Sequence, residues 1–312
     1  MRAGLLSLLA ISLLTGCNAS SRVLPPLRAV LIGGDEEYRS EEALPLVAKL
    51  LEAQGFRCTV LLSTDPATGA VDPGNAVHVE GMEALDGADL IVLFTRFRAW
   101  PEADRLHLAR ALVRGVPLVG LRTATHAFAY GPDAPAGARA WSADAADPLG
   151  GFGETWFGDS WVAHHGAHGS ESTRALPEPA AAAAGHPILR GFTMAWGPTD
   201  VYAFNPLPEN CVVLARGLVL DGMSPDAAPV TDGRNASPMP LAWERELPHP
   251  RGAPQRVFYC SMGAAQDFAD TGLQRLVVQA CLWAVRREAA IPATGVLLPA
   301  VPDYLPSPFG VR

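Results

Sequence analysis

The chain has 312 residues, 49% of them hydrophobic and 18% charged, with a formal net charge of −8. That length holds one large or two small domains and buries about three quarters of the unfolded surface. The apolar content and the lack of a glycine period exclude a disordered or collagen-like chain. With 24 basic against 32 acidic residues and no basic stripe, nucleic acid is not an expected partner.

The first element is a leader. Arg2 precedes an apolar stretch, Gly4 to Leu14, too short to span about 30 Å of hydrocarbon. It ends in Leu14-Thr15-Gly16-Cys17, which resembles the lipobox of bacterial lipoproteins. Residues 1–16 are therefore expected to be a cleaved signal peptide, with lipid on Cys17 and residues 17–27 as a tether. An ordinary secretory signal is the alternative. Both predict export to the periplasm or beyond; the lipid adds anchoring at the cell envelope, where several acyl chains hold firmly.

The mature chain opens with an α/β pattern. Arg28 to Asp35 is a short apolar run ending in Gly33-Gly34, as in a central parallel strand. Ser40 is placed to cap a helix running to Gln54, and Gly55 stops it. Phe56–Leu62 and Ala88–Thr95 read as strands. A helix follows from Trp100-Pro101 to Arg114, then a strand from Val116 to Arg122. This alternation predicts a doubly wound, mostly parallel sheet. Later, Cys211–Ala215, Met239–Trp243 and Arg256–Met262 read as strands and Asp270–Glu288 as an amphipathic helix. From residue 289 a Pro-rich tail is expected to wrap the surface. Cys58, Cys211, Cys260 and Cys281 form no C-x-x-C and are expected to be free thiols inside apolar patterns.

About residues 131–200 the periodicity fades. This stretch holds Trp141, Trp156, Trp161, Trp196 and four of the eight histidines, so it is expected to be an ordered insertion over a site. In open parallel sheets ligands bind beyond the carboxyl ends of the strands. That rule brings together Gly34, Asp35 and Glu36; Thr95 and Arg96; and Arg122, Thr123, Thr125 and His126. No phosphate loop, dinucleotide fingerprint or G-x-S-x-G elbow is present. Arg122 stands where an elbow nucleophile would sit, and an arginine there clamps an anion or a polarised oxygen.

The densest local chemistry is His164-His165-Gly-Ala-His168, near Glu154 and Asp159. Imidazoles and carboxylates suit zinc or a similar divalent metal. Loop histidines that merely stack, or that serve acid–base work, are the competing readings. The aromatic residues suit a mostly apolar ligand pocket with a few directed polar groups.

At this point the chain resembles the ThuA-like (trehalose utilisation) family. The residues that carry the likeness are Val30-LIGGDEEY, Leu85-DGADLIVLFTR, Leu112-VRGVPLVGLRTATHAF, Trp156-FGDSWVAHHGAHGSESTR, His186-PILRGF, Trp196-GPTDVYAF, Pro240-LAWERE and Arg256-VFYCSMGAAQDF. The Gly-Leu-Arg-Thr and His-His-Gly-x-His-Gly version is similar to an exported subgroup. The resemblance implies a domain over 28–288 with a flavodoxin-like, class I glutamine amidotransferase-like fold. It implies no amidotransferase activity, because the nucleophilic Cys is replaced by Arg122. More typical members carry His at that turn, so its role does not transfer. The family also implies a sugar or keto-sugar ligand, and a metal at His164, His165 and His168 with Asp200.

The expected function is therefore hydrolysis or isomerisation of a sugar or keto-sugar. Arg122, His126, His165 and Asp200 are the expected catalytic residues, His126 or His165 titrating near neutrality as acid/base. Asp35, Arg96, Thr123, Thr125, Glu154, Trp156 and Tyr202 are expected to bind the ligand, with His164 and His168 as metal ligands. The alternatives are a lipid-anchored carbohydrate-binding protein without chemistry, and a metal-dependent hydrolase built on the His164–His168 loop.

Overall fold

The computed structural model describes residues 25–145, 150–250 and 252–310. The expected signal peptide, Cys17 and the tether up to residue 24 lie outside the described residues. Strand β1 (Leu27–Gly34) is flanked by β2 (Phe56–Leu62) and β3 (Leu90–Thr95), and β4 (Leu118–Leu121) pairs with β3. All these pairings are parallel. Helices α1 (Ser40–Glu52) and α2 (Glu102–Val113) supply crossovers. An all-apolar strand such as β3 can be buried on both faces because period-2 alternation divides it between two cores. Leu90, Val92 and Phe94 join the core that contains α1 residues; Ile91 and Leu93 join the core with α2 residues Leu108 and Leu112.

The rest of the sheet was less legible. Short α3 (Ala136–Arg139) precedes a two-stranded ribbon, β5 (Ala163–His164) with β8 (Tyr202–Ala203). Between them run β6 (Ser172–Pro177), α4 (Pro179–Ala183) and β7 (Ala195–Gly197). After them come β9 (Cys211–Leu220), β10 (Met239–Leu247), β11 (Gln255–Cys260) and α5 (Thr271–Ala284). The sheet order is β2-β1-β3-β4-β11-β10-β9-β6-β7. Strand β11 is parallel to β4, and from β11 outward every pairing is antiparallel. The stretch that lacked periodicity thus contributes two strands to the main sheet. The result is a mixed α/β sheet, parallel from β2 to β11 as the sequence predicts and antiparallel from β11 to β7.

Helix termini show two kinds of beginning. Asp270 caps α5 by accepting the N–H groups of Gly272 and Leu273. Ser40 does not cap α1, as the sequence suggested: it lies inside the first turn, Arg39 before it has φ 58°, and its Oγ accepts the Asp35 N–H. The seryl oxygen therefore stabilises the strand-end loop that feeds the site. All four described cysteines are free, with Cys260 and Cys281 buried. Among the described residues no helix is long and apolar enough to cross a membrane.

Candidate metal and ligand site

At the end of β4 the chain turns sharply. Arg122 has φ 44°, a conformation that costs an L-residue energy and is held only by its surroundings. Its carbonyl accepts from Tyr259 Oη. Its guanidinium is fully buried and donates to the carbonyls of Asp200 and Ser261, each at 2.8 Å, to Tyr38 Oη at 3.2 Å and to Asp200 Oδ1 at 3.0 Å. The Tyr202 and Tyr38 ring centroids lie 3.7 Å and 4.5 Å from its central carbon, two cation–π contacts. Arg122 is therefore committed to the protein rather than presented to a ligand. The expected role as ligand clamp becomes that of a positioning residue for Asp200.

Asp200 is the hub. Its side chain is buried, and its Oδ2 lies 2.6 Å from His164 Nδ1 while Oδ1 lies 3.0 Å from His168 Nδ1. Burial works against its charge, but Arg122 and the two histidines outweigh it and hold its pKa down to about 2. Ribbon strand β5 delivers His164, the following loop delivers His168, and the turn between β7 and β8 delivers Asp200. One residue earlier, Thr199 donates its hydroxyl to Asp267 at 2.8 Å and its N–H at 3.3 Å. Asp267 also accepts from the Gly263 and Ala264 N–H groups after β11. The loop carrying Asp200 is thereby pinned to the sheet.

His164, His168 and Asp200 each offer a ligand atom within 4.8 Å of the others. Two imidazole nitrogens and one carboxylate oxygen form a donor set that suits zinc, iron, manganese or cobalt with positions left open. Arg122 and His168 share Oδ1 while Oδ2 is met by His164 alone, so an ion between the three residues would replace the imidazole–carboxylate contacts, and by donor type the residues present fit a divalent metal. Glu37 stands alongside, its Oε1 3.3 Å from His168 Nε2 and its Oε2 2.9 Å from Arg96.

The other expected residues divide. Arg96 and Arg98 both pair with Glu36 at the carboxyl end of β1, so Arg96 holds the rim together. Asp35 and Thr123 bury one another at 2.5 Å, and Asp35 accepts the Glu37 and Tyr38 N–H groups; they shape the turn and face no ligand space. Thr125 Oγ1 lies 3.4 Å from His126 Nδ1. His126 is buried among Phe97, Trp161 and Tyr202. Burial, then Arg96 and Arg122, push its pKa well below the usual value. It is neutral at pH 7 rather than titrating there. His165 turns away from the cluster, its Nε2 3.4 Å from the Arg234 carbonyl. Glu154 is exposed on a π-turn, Gly153–Phe157, and Trp156 packs toward Phe152 in the second core. Neither meets the histidines. Trp161 does, 5.4 Å from His164.

Sequence reasoning missed Glu37, Tyr38 and Asp267 as parts of the site. Glu37 and Tyr38 sit one and two residues beyond the Glu36 that the strand-end rule did flag, and extending that rule by two residues would have found them. Asp267 lies seven residues past Cys260, the end of β11, beyond the reach of that rule. The site thus lies on the carboxyl edge of an open α/β sheet, consistent with the flavodoxin-like class.

Family comparison narrows this. The ThuA family model, described as trehalose utilisation, matches residues 28–284, and the chain belongs to that family. Among solved structures it is similar to a ThuA-like protein of Parabacteroides merdae ATCC 43184, with a TM-score of 0.52 and 15% identity over 83% of this chain and 90% of that one. A ThuA-like protein of Bacteroides uniformis ATCC 8492 gives 0.52 and 16% over 86% and 95%. These likenesses speak to the fold. A comparison with curated proteins gives no match. Family membership connects the chain with trehalose utilisation and carbohydrate metabolism.

Proposed function

We propose that the protein is an exported, lipid-anchored, metal-dependent enzyme that hydrolyses or isomerises a sugar or keto-sugar at the His164–His168–Asp200 cluster. The observation that carries this reading is the convergence of two imidazoles and a buried carboxylate within 4.8 Å at the sheet's carboxyl edge. A divalent ion held there by His164, His168 and Asp200 would polarise a substrate carbonyl or hydroxyl oxygen. Arg122 keeps Asp200 ionised and oriented. Tyr202 and Trp161 wall the site on one side. The Glu37 carboxylate, beside His168, is placed to accept a substrate proton. Glutamine amidotransferase chemistry is not part of this reading, because a guanidinium stands at the elbow and burial pushes the Cys58 and Cys260 thiols up to about 12.

The 2.6 Å contact between His164 Nδ1 and Asp200 Oδ2 favours a second reading. An Asp–His pair of that geometry performs acid–base work without metal. Incubating the protein with disaccharides and keto-disaccharides, with and without chelator, separates the two by product analysis. The metal reading expects turnover that chelation abolishes and a divalent ion restores. Turnover that survives chelation but is lost in His164→Ala supports the pair. Saturable sugar binding with no product identifies a carbohydrate-binding protein instead.

A further inference from the structure

The two imidazoles of the cluster are held in different ways. His164 lies on β5 and pairs with Tyr202 of β8, so strand pairing sets where its ring points. His168 lies in the loop that follows, beside Gly169, which has φ 76°. The hydrogen bonds of that loop belong to its neighbours: His165 and Gly166 donate to the Val201 carbonyl, and Ser170 and Glu171 to the Ala167 carbonyl. The His168 ring is oriented from outside, by Asp200 at Nδ1, by Glu37 at Nε2 and by the rings of Tyr38, His164 and Phe309.

Of these five, Phe309 alone lies beyond the family match, which stops at residue 284. Non-local bonds bring it back to the site. Tyr304 Oη donates to the Ala265 carbonyl at 2.8 Å, and the Ser307 N–H to Glu42 Oε2 at 2.6 Å. Arg39 donates from Nε to the Pro308 carbonyl at 3.1 Å and from Nη1 to the Glu36 carbonyl, which ties the tail to the turn carrying Glu37. The Phe309 N–H donates to Gln266 Oε1 at 3.1 Å, and the Gly310 N–H to the Glu37 carbonyl at 2.8 Å. With the backbone anchored on both sides, the ring stacks on Tyr38 at 5.8 Å and meets His168 edge-on at 5.4 Å. A support fixed in this way spends little further entropy on its contacts.

Resting on the metal reading above, we propose that Phe309 is a positioning residue for the metal: the segment 304–310 straps the His168 ring into the orientation in which it joins His164 and Asp200 around the ion. Strand pairing does this for His164, and the tail does it for the glycine-flanked His168. Removing a group that orients a ligating histidine typically costs about 10–100-fold in metal affinity. Tyr38 gives the strap a second line to the site. It stacks on Phe309 and accepts from Arg122, which holds Asp200.

Zinc titration of metal-free protein starting at residue 18, against a competing chelator, tests this in the wild type, Phe309→Ala, Phe309→Tyr and Leu305→Ala. Phe309 is partly exposed at the edge of the first core, so its truncation is not expected to prevent folding. Leu305 belongs to the same segment and is 88% exposed; its variant reports a change in the tail that spares the ring. Phe309→Ala should bind zinc at least tenfold more weakly, with Phe309→Tyr and Leu305→Ala within about twofold of the wild type. In proton NMR of the metal-free protein, the His168 ring signals, identified by their loss in His168→Ala, should move in Phe309→Ala while those of His165 stay. Zinc affinity within twofold of the wild type in Phe309→Ala overturns the strap and leaves the metal site standing. A tenfold loss with the His168 signals unmoved also overturns it, because the effect then lies elsewhere. A wild type that binds no zinc overturns the metal reading and the strap with it.

Discussion

Arg122 and Asp200 are both fully buried and face each other at 3.0 Å. Removing one partner of such a pair leaves an uncompensated charge, at a cost of about 3–5 kcal/mol. Arg122→Ala is accordingly expected to lower stability by that amount in denaturant unfolding; an unchanged midpoint would return Arg122 to the role of a ligand clamp. The residue scale also shows what composition can and cannot reveal. Three histidines in five residues are visible in a string of letters, and so is Asp200 within the quoted Trp196-GPTDVYAF. Which histidine turns inward is decided by the pairing of β5 with β8, and no local pattern distinguishes His164 from His165. Similarly, the fate of Arg122 depends on Tyr38, Ser261 and Tyr202, which are brought together only by tertiary folding.

The π-turn Gly153–Phe157 supports the site from behind. Phe152 and the π-turn after it press Phe157 against β4, and Gly153 lies against the Thr125 and Asp159 carbonyls, where a Cβ would overlap backbone oxygen. Gly153→Ala is expected to cost about 1–3 kcal/mol through overpacking and to disturb the turn next to His126. A melting temperature equal to the wild type would show that the turn can shift freely.

Strand β10 carries a titrating group, Glu244, within its buried stretch. Burial first, then Glu246, raise the Glu244 carboxyl from 4.5 to about 7, with Arg256 opposing; His186 Nε2 faces it at 3.9 Å. The folded chain retains this proton from pH 4.5 up to about 7 while the unfolded chain releases it. Its contribution is therefore full below 4.5 and declines as pH rises through that window. Glu244→Gln should remove the decline and exceed the wild type at pH 8, by up to about 3 kcal/mol. The neighbouring His186, held down to about 4 by burial and then Arg256, slopes the other way between 4 and 6.5 in both proteins. It cancels from the comparison. A variant no more stable than the wild type at pH 8 would mean that the folded chain gives up the Glu244 proton as readily as the unfolded chain does.

For the whole molecule, the parallel half of the sheet was readable because β3, β4 and β1 from Ala29 onward are unbroken apolar runs alternating with α1 and α2. The antiparallel half was harder. Strands β6 and β7 are six and three residues long, and their burial is set by partners far along the chain, β9 for β6. The tail was legible as a wrap but not as a wall of the site, since its bonds to Glu42, Gln266 and Glu37 are all non-local.

A divalent ion held by His164, His168 and Asp200 is the centre of the proposed function. Elemental analysis of untagged protein starting at residue 18, purified without chelator, tests it most directly. About one divalent transition-metal ion per chain is predicted, lost in His164→Ala combined with His168→Ala while His165→Ala retains it. A metal-free wild type, or a double variant that keeps its metal, would contradict the account.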